Sequence, residues 1–183
     1  MPLVGHQHQI DILELTDKGD GKGRLFDRPL FVEGLLPGEQ ALVELTEVKP
    51  NYLHGKLVEL TQPSADRVPD FCPNTECGGC QVRPLAYPAQ LKLKQSLVQS
   101  ALEQVGLGET QVNPILGMDS PFAYRNKAQY PVGGSEAGSE IGFYRKHSHE
   151  PITAHERSLQ DSLNAELNAR ARRRPRPPGI FGW

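Results

Sequence analysis

The sequence predicts a mainly β protein with some α-helix, in which a small N-terminal barrel precedes an α+β central domain. Two observations support this class. The chain has 18 Gly and 16 Pro among its 183 residues, a share typical of loop-rich, β-rich proteins. Its apolar residues mostly fall in short runs separated by turn residues, and one segment has clear helical periodicity. We place domain boundaries after residues 63 and 158, which gives segments 1–63, 64–158 and 159–183.

The N-terminal segment contains five predicted strands. Apolar and polar residues alternate from Ala41 to Thr46, which is the pattern of a half-buried strand. Turn-forming residues separate the strands at 17–23, 27–29 and 35–39. Five short strands in so few residues predict a closed barrel, and the oligonucleotide-binding (OB) barrel is the common architecture of that size. The predicted strands contain residues 10–15, 25–26, 30–32, 41–46 and 53–60.

The central segment combines one predicted helix with predicted strands. Apolar residues recur every three or four positions over 88–105, with Pro88 in the first turn and Gly106 at the stop. Strands are predicted at 111–117 and 122–132, and a glycine-rich loop then leads to a hairpin arm at 141–146. Residues 159–170 are compatible with a helix, whereas the Arg- and Pro-rich stretch 172–179 is predicted to be disordered.

Composition and charge limit the classes of function. The sequence has no long apolar run and no basic, apolar leader, which predicts a cytoplasmic protein without membrane contact. Residues 1–71 carry 7 Lys and Arg against 12 Asp and Glu, whereas residues 151–183 carry 6 against 3. Any contact with RNA must therefore come from local basic patches rather than from the overall charge of −2.

Cys72, Cys77 and Cys80, the chain's three cysteines, have the spacing C-x4-C-G-G-C. An odd number of closely spaced cysteines argues against a disulfide framework, and thiolates are good ligands for zinc and iron–sulfur clusters. Gly78 and Gly79 allow a tight turn that would direct Cys77 and Cys80 to one centre. Spacing alone leaves zinc and iron–sulfur open, and each needs a fourth ligand. The histidines considered for a zinc site are His54, His147, His149 and His155.

Two groups of residues are candidate RNA contacts. In the predicted barrel, cations could hold phosphates while a tyrosine stacks on a base. The alternative for these residues is an ordinary solvated barrel surface. In the predicted strand 122–132, alternate polar residues share one face, and the alternative is an amphipathic strand with a wet outer face. The glycine-rich turn 19–23 lacks the layout of a phosphate-binding loop. The candidates are Lys22, Arg24, Lys49, Tyr52 and Lys56 in the barrel, and Arg125, Asn126 and Lys127 in the strand.

A series of short motifs in a fixed order resembles one protein family. The barrel pattern with its Leu-Pro-Gly-Glu turn resembles a TRAM domain, and the whole series resembles the iron–sulfur-containing RNA uracil-C5 methyltransferases, the 23S ribosomal RNA group in particular. The resemblance covers about residues 8–168. The motifs are Leu36-Pro37-Gly38-Glu39, Cys77-Gly78-Gly79-Cys80-Gln81, Tyr87, Gln90-Leu91, Lys94, Pro114-Ile115-Leu116-Gly117, Tyr124-Arg125-Asn126-Lys127 and Ile141-Gly142-Phe143-Tyr144.

The resemblance implies a division of labour. The barrel and central domain would bind RNA, and the three cysteines with one downstream cysteine would hold a [4Fe–4S] cluster. A C-terminal Rossmann-like domain would bind S-adenosylmethionine, and a cysteine there would attack uracil C6 so that C5 accepts the methyl group. The target base would be flipped out of its stack. The resemblance therefore favours iron–sulfur over zinc.

The chain departs from the family pattern at two places. Ser158 stands where the family has its downstream cysteine ligand, so we expect a cluster that is labile, incomplete at one iron, or absent. No cysteine follows Cys80, and we expect the methyltransferase domain to be missing after a frameshift or truncation near residue 169, with a natural RNA-binding tail as the alternative. We therefore expect a monomeric RNA- and cluster-binding portion of a 23S rRNA methyltransferase, inactive alone. The alternatives are a stand-alone RNA-binding module, of a zinc type and without catalysis, or a non-functional gene product.

Overall fold

The computed structural model describes residues 2–70, 72, 74, 76–135, 138–146, 148–153 and 158–172. Its N-terminal part is a closed five-stranded barrel with strand order β1-β2-β3-β5-β4. Neighbouring strands are antiparallel except β3 and β5, which run parallel. The five-strand prediction is confirmed. The strands are β1 (Gln7–Leu15), β2 (Gly21–Leu25), β3 (Arg28–Val32), β4 (Gln40–Val48) and β5 (Leu53–Gln62).

Alternation of side chains along the strands fills the barrel interior. Ala41, Val43 and Leu45 on β4 are fully buried, as the period-2 pattern predicts. Gly55 on β5 faces Val43 so closely that any Cβ would clash with it, which explains a glycine inside a strand. Each buried aliphatic side chain contributes about 1.5–3 kcal/mol to folding. The other core residues are Ile10, Ile12, Leu30, Val32, Leu35 and Leu53.

The hairpin between β2 and β3 turns one position earlier than predicted. Leu25 pairs with Arg28, so the loop consists of Phe26 and Asp27. Arg28 and Pro29, which we expected in the turn, begin strand β3. Asn-Gly, the usual sequence signal for such a two-residue loop, is absent here, and composition alone therefore misplaced the turn.

The turn that carries the Leu-Pro-Gly-Glu motif is tied to the chain beyond the barrel by a buried carboxylate. Glu39 accepts hydrogen bonds from the backbone N–H of Leu36 at 2.8 Å and of Ser64 at 3.1 Å. The guanidinium of Arg67 donates Nε to Glu39 Oε1 at 2.5 Å and Nη2 to Oε2 at 2.8 Å. Arg67 also donates to the carbonyl of Gly34. These bonds hold the segment that follows β5 against the barrel.

Helix α1 (Tyr87–Gln104) confirms the predicted helix, but none of its residues is fully buried. Segment 111–117 is irregular rather than the predicted strand. The side chain of Gln95 accepts the N–H of Ile115 at 3.1 Å, which takes a donor that a strand ladder would need. Gly117 lies against Leu91, so this segment packs along the helix instead of pairing in a sheet.

The second half of the chain contains a small antiparallel sheet and a second helix. The sheet has the order β6-β7-β8, and β6 and β7 pair as a hairpin. Residues 133–135 and 138–139, which we expected in the glycine-rich loop, belong to its two strands. Helix α2 confirms that the segment near 159–170 is helical. Arg172, which we expected to begin a disordered stretch, is the last residue of α2, and residues 173–179 lie outside the described part of the chain. The elements are β6 (Val132–Ser135), β7 (Gly138–Tyr144), β8 (Pro151–Thr153) and α2 (Ser162–Arg172).

The chain divides into two compact units. Met1–Pro69 and Gln81–Gly117 form the first, and Asp70–Cys80 and Met118–Trp183 form the second. The segment with the cysteines therefore groups with the small sheet and α2. Our boundaries after residues 63 and 158 stay predictions. Among the described residues, no helix has the length and apolar character needed to cross a membrane.

Candidate nucleic-acid interface and cysteine segment

Aromatic rings cluster on the outer surface of the barrel. The register pairs Lys22 with Phe31 across β2 and β3, and Phe31 with His54 across β3 and β5. Because paired residues point to the same side of a sheet, these three side chains form a row. The rings of Phe31 and His54 lie 5.5 Å apart, and the ring of Tyr52 lies 5.4 Å from His54. All three rings are half-buried, so part of each remains open to solvent.

The basic residues predicted to hold phosphates surround this cluster, and each forms an ion pair with a carboxylate. The Glu47 carboxylate accepts a hydrogen bond from Lys49 and raises the lysine's pKa. Lys56 likewise donates to Glu44 and lowers the pKa of that carboxyl. The pairs are Lys22–Glu14 at 2.6 Å, Arg24–Asp27 at 3.7 Å, Lys49–Glu47 at 2.9 Å and Lys56–Glu44 at 2.8 Å.

These ion pairs weaken the attraction of the barrel surface for phosphate. Exposed pairs contribute little to stability, because water screens them and ordering two long side chains costs entropy. A phosphate that approaches must compete with the carboxylate already next to each cation. The barrel therefore offers phosphates a weak electrostatic attraction, and base stacking on the ring cluster has to supply a large share of any affinity for RNA.

Sequence reasoning missed Phe31 as a candidate contact and assigned His54 only to a zinc site. The structure places His54 among the barrel rings, in the first unit, whereas the cysteines lie in the second. Alternation along β3 could have placed Phe31 outward. The parallel pairing of β3 with β5, which brings Phe31 beside His54, has no local sequence signal.

Arg125, Asn126 and Lys127 are not on a regular strand, so the predicted shared strand face is wrong. Arg125 forms one isolated parallel bridge with Gln160. The ladder cannot continue beyond Asp161, because helix α2 begins at the next residue. Asn126 and Lys127 are exposed, and the Arg125 guanidinium lies 5.8 Å from the centre of the Tyr124 ring.

Hydrogen bonds join this segment to the position of the expected fourth cluster ligand. Ala123 N–H donates to the Ser158 carbonyl at 2.8 Å, and Arg125 N–H donates to the Leu159 carbonyl at 2.9 Å. Asn164 on α2 donates its side-chain amide to the Arg125 carbonyl at 3.1 Å. The Tyr-Arg-Asn-Lys motif and Ser158 are thus parts of one local structure.

The cysteine segment extends the end of β7. Cys77 bridges to Arg145, Gly78 N–H donates to the Tyr144 carbonyl at 3.3 Å, and Lys146 N–H donates to the Glu76 carbonyl at 2.9 Å. This pairing places the start of the Cys-Gly-Gly-Cys motif beside the end of the Ile-Gly-Phe-Tyr motif.

Arg145 anchors the segment through its side chain. It contacts Glu76 at 2.5 Å and Glu150 at 3.1 Å. The charge of Glu76 and its hydrogen bond raise the pKa of Arg145, with a smaller contribution from Glu150.

None of the three cysteines is in a disulfide, all are half-buried, and their donor chemistry suits a thiolate-bound centre. Gly79 leaves space near Cys77, since a Cβ there would lie 3.4 Å from Sγ. The amide Nδ2 of Asn74 lies 3.8 Å from Cys72 Sγ. Within the described part of the chain, however, no three Cys, His, Asp or Glu side chains converge as a metal site. His149 contacts the Tyr144 ring, and His147 and His155 lie outside the described residues.

Comparison with known proteins identifies the barrel. Residues 3–58 match the model of the TRAM domain. The barrel is a TRAM domain. The matched residues contain β1 to β4, the first part of β5, the turn centred on Glu39 and the whole ring cluster.

The chain as a whole is homologous to RNA methyltransferases. It is 37% identical over 177 residues to an uncharacterized RNA methyltransferase of Halalkalibacterium halodurans, covering 96% of this chain and 39% of that protein. It is 44% identical over 137 residues to one of Oceanobacillus iheyensis, covering 74% of this chain and 30% of the relative. The chain therefore spans 39% and 30% of the lengths of these two relatives.

A solved structure shares the fold. The crystal structure of Pyrococcus abyssi tRNA (uracil-54, C5)-methyltransferase, in complex with S-adenosyl-L-homocysteine, matches with a TM-score of 0.56 at 21% identity. The match covers 88% of this chain and 35% of the archaeal protein. At this identity the likeness concerns the fold, and it extends beyond the TRAM domain.

Proposed function

We propose that this chain is the RNA-binding and [4Fe–4S]-binding N-terminal portion of an S-adenosylmethionine-dependent 23S rRNA (uracil-C5)-methyltransferase of the cytoplasm. The observation that carries the proposal is the ring cluster of the TRAM domain, bordered by Lys22, Lys49 and Lys56. Homology to RNA methyltransferases over almost the whole chain supports it. The order of the motifs supports the uracil-C5 and 23S assignments.

The barrel would hold a single-stranded segment of RNA. Tyr52, His54 and Phe31 offer ring faces to bases, while the neighbouring lysines exchange their carboxylate partners for phosphates. Arg125, Asn126 and Lys127 would contact RNA from the second unit, where Asn126 and Lys127 are exposed. Any base can stack on these rings, so the barrel would bind the strand without sequence specificity. Other contacts would select the target uridine.

The cysteines would bind the cluster. Cys72, Cys77 and Cys80 supply three thiolates, and Ser158 occupies the position of the fourth ligand. A serine oxygen is a harder ligand than a thiolate and binds iron less well, which would leave one iron weakly held. The cluster would fix the loop of the cysteine segment to the Ser158 segment within the second unit. Methyl transfer would require the catalytic domain of the family. We therefore expect no methyl transfer by this 183-residue chain alone.

RNA binding is tested with the purified 183-residue chain and a fluorescent single-stranded RNA of about 12 nucleotides, within the site size of one OB fold. Tyr52→Ala should weaken binding by about fivefold or more, which is the change in affinity expected from losing the stacking of one base. Tyr52→Phe should bind like the wild type because it keeps the ring. Leu13→Ala, a change of an exposed side chain on β1, serves as the control.

Three results would contradict the RNA proposal or its finer assignments. Absence of RNA binding by the wild type, or equal binding by Tyr52→Ala, would overturn the RNA-binding face. Tighter binding of tRNA than of 23S rRNA fragments would contradict the 23S assignment. Methylation of RNA by this chain with S-adenosylmethionine would show that the chain is active alone.

The cluster is tested by anaerobic reconstitution with iron and sulfide, followed by metal and sulfide analysis. We expect bound iron and sulfide that are lost quickly in air. Ser158→Cys should slow this loss because it restores a fourth thiolate, whereas the matched control Ser148→Cys should not. Bound zinc without sulfide would favour the zinc-type module, and equal lability of both variants would contradict the role of position 158.

A further inference from the structure

The loop that joins β2 to β3 has an unusual residue in an unusual conformation. Phe26 and Asp27 both have positive φ angles, 49° and 60°, as a two-residue loop of type I′ requires. Such loops normally contain Asn and Gly, because a residue with a Cβ is strained in the left-handed region and a bulky aromatic residue is a true outlier there. Backbone strain of this kind concentrates at functional sites.

The side chain of Phe26 does not compensate for the strain by entering the core. It is 53% exposed, although its ring contacts the ring of His8 edge to face, with centroids 5.3 Å apart. A single aromatic ring is therefore fixed in direction by the turn and by His8, and much of it faces solvent. This arrangement is suited to stacking on a flat partner.

The charges around the loop point to a nucleic acid as that partner. Arg24 and Arg28 flank the loop, and the largely exposed Arg24 lies 3.7 Å from the carboxylate of Asp27, which a phosphate would have to displace. Arg28 donates to the carbonyl of Lys49 at 2.9 Å, and Lys49 N–H donates to the carbonyl of Tyr52 at 3.0 Å. The loop and the turn that carries Tyr52 are thus neighbours at one end of the barrel, and the loop continues the proposed RNA-binding surface.

We infer that Phe26 is a second base-stacking residue, which holds one unpaired nucleotide of the RNA strand beyond the nucleotide on Tyr52. The inference rests on the proposed RNA-binding function and names a residue that the ring cluster does not contain. Arg24 and Arg28 bind the phosphates on either side of that nucleotide. The strained turn is retained because it presents the ring, since a relaxed Asn-Gly turn would leave no ring there.

The test replaces Phe26 by a residue that suits the turn better. Phe26→Asn should raise the urea midpoint of the full chain, because Asn tolerates positive φ. The same variant should weaken binding of the single-stranded RNA by about fivefold or more. Phe26→Trp, which keeps a ring, should bind RNA at least as tightly as the wild type. Leu13→Asn is the control for loss of an exposed apolar side chain.

An abasic oligomer of the same length separates stacking from phosphate contacts. Phe26→Asn should lower affinity for RNA while leaving affinity for the abasic oligomer near that of the wild type. Equal binding of RNA by Phe26→Asn and wild type would overturn the inference, as would an equal loss for both oligomers. If Tyr52→Ala weakens binding but Phe26→Asn does not, only this inference fails. If the wild type binds no RNA, the proposed function fails with it.

Discussion

At the scale of single residues, Glu39 shows how one side chain can join two parts of a chain. Its carboxylate is fully buried and accepts four hydrogen bonds, two of them from Arg67. Burial by itself raises the pKa of Glu39, but the hydrogen bonds from Arg67, Leu36 and Ser64 outweigh it and lower the pKa below its ordinary value. This turn therefore holds a charged carboxylate in a buried site.

Glu39→Gln should destabilise the protein by about 2–4 kcal/mol, because it leaves the largely buried Arg67 without its countercharge. The urea midpoint at neutral pH measures this loss. Since the native pKa is lowered, the carboxylate stabilises the fold above the ordinary glutamate pKa of about 4.3 and loses that contribution as the pH falls through the native value. The difference between wild type and variant should therefore shrink in acid.

Glu44→Gln provides the matched control, since Glu44 pairs with Lys56 on the outer surface of the barrel. Its midpoint should stay close to that of the wild type, because exposed ion pairs contribute little to stability. A difference between Glu39→Gln and wild type that is the same at every pH would show that the Glu39 carboxylate is not the titrating group.

At the scale of elements, the sequence predicted those strands and helices whose pattern of apolar residues follows from burying one face. The alternation along β4 and the periodicity of α1 follow from burial of one face, and both elements are present. Segment 122–132 has strand-like composition, yet only its last residue, Val132, belongs to a strand, and Arg125 forms one isolated bridge with Gln160 before α2. A strand depends on a partner of matching length, and the sequence of the strand itself does not contain that information.

The residues of the candidate sites also fall into two groups, those found from the sequence and those found only in the structure. Cys72, Cys77 and Cys80 were found from spacing, and Tyr52 from its basic neighbours. Phe31 joins the site through a parallel strand pairing, and Phe26 through a positive φ angle, and neither signal is present in local composition. Contacts set by register and backbone strain emerge only when the chain is folded.

At the scale of the whole molecule, the distribution of acidic and basic residues disfavours strong non-specific binding of nucleic acid. Residues 1–71 carry more acidic than basic residues, and the lysines of the proposed RNA surface are paired with glutamates. A barrel of this kind would release weakly bound RNA easily. In the proposed function, Arg125, Asn126 and Lys127 add contacts of their own, so specificity would depend on the sum of several contacts rather than on the barrel alone.

This arrangement predicts a shallow salt dependence of RNA binding. Each phosphate neutralised on a single strand adds about 0.7 to the slope of log affinity against log salt, so four unpaired cations would give a slope near −3. Because carboxylates already pair with the four barrel cations, we expect the wild type to have a slope shallower than about −2.

Glu47→Gln should raise affinity and steepen the slope by freeing Lys49, whereas Tyr52→Ala should lower affinity at every salt concentration without changing the slope. Fluorescence anisotropy titrations over a series of salt concentrations measure both. A steep slope in the wild type, or no response to Glu47→Gln, would mean that the cations bind phosphates independently of their carboxylates and that stacking contributes less than the ring cluster indicates.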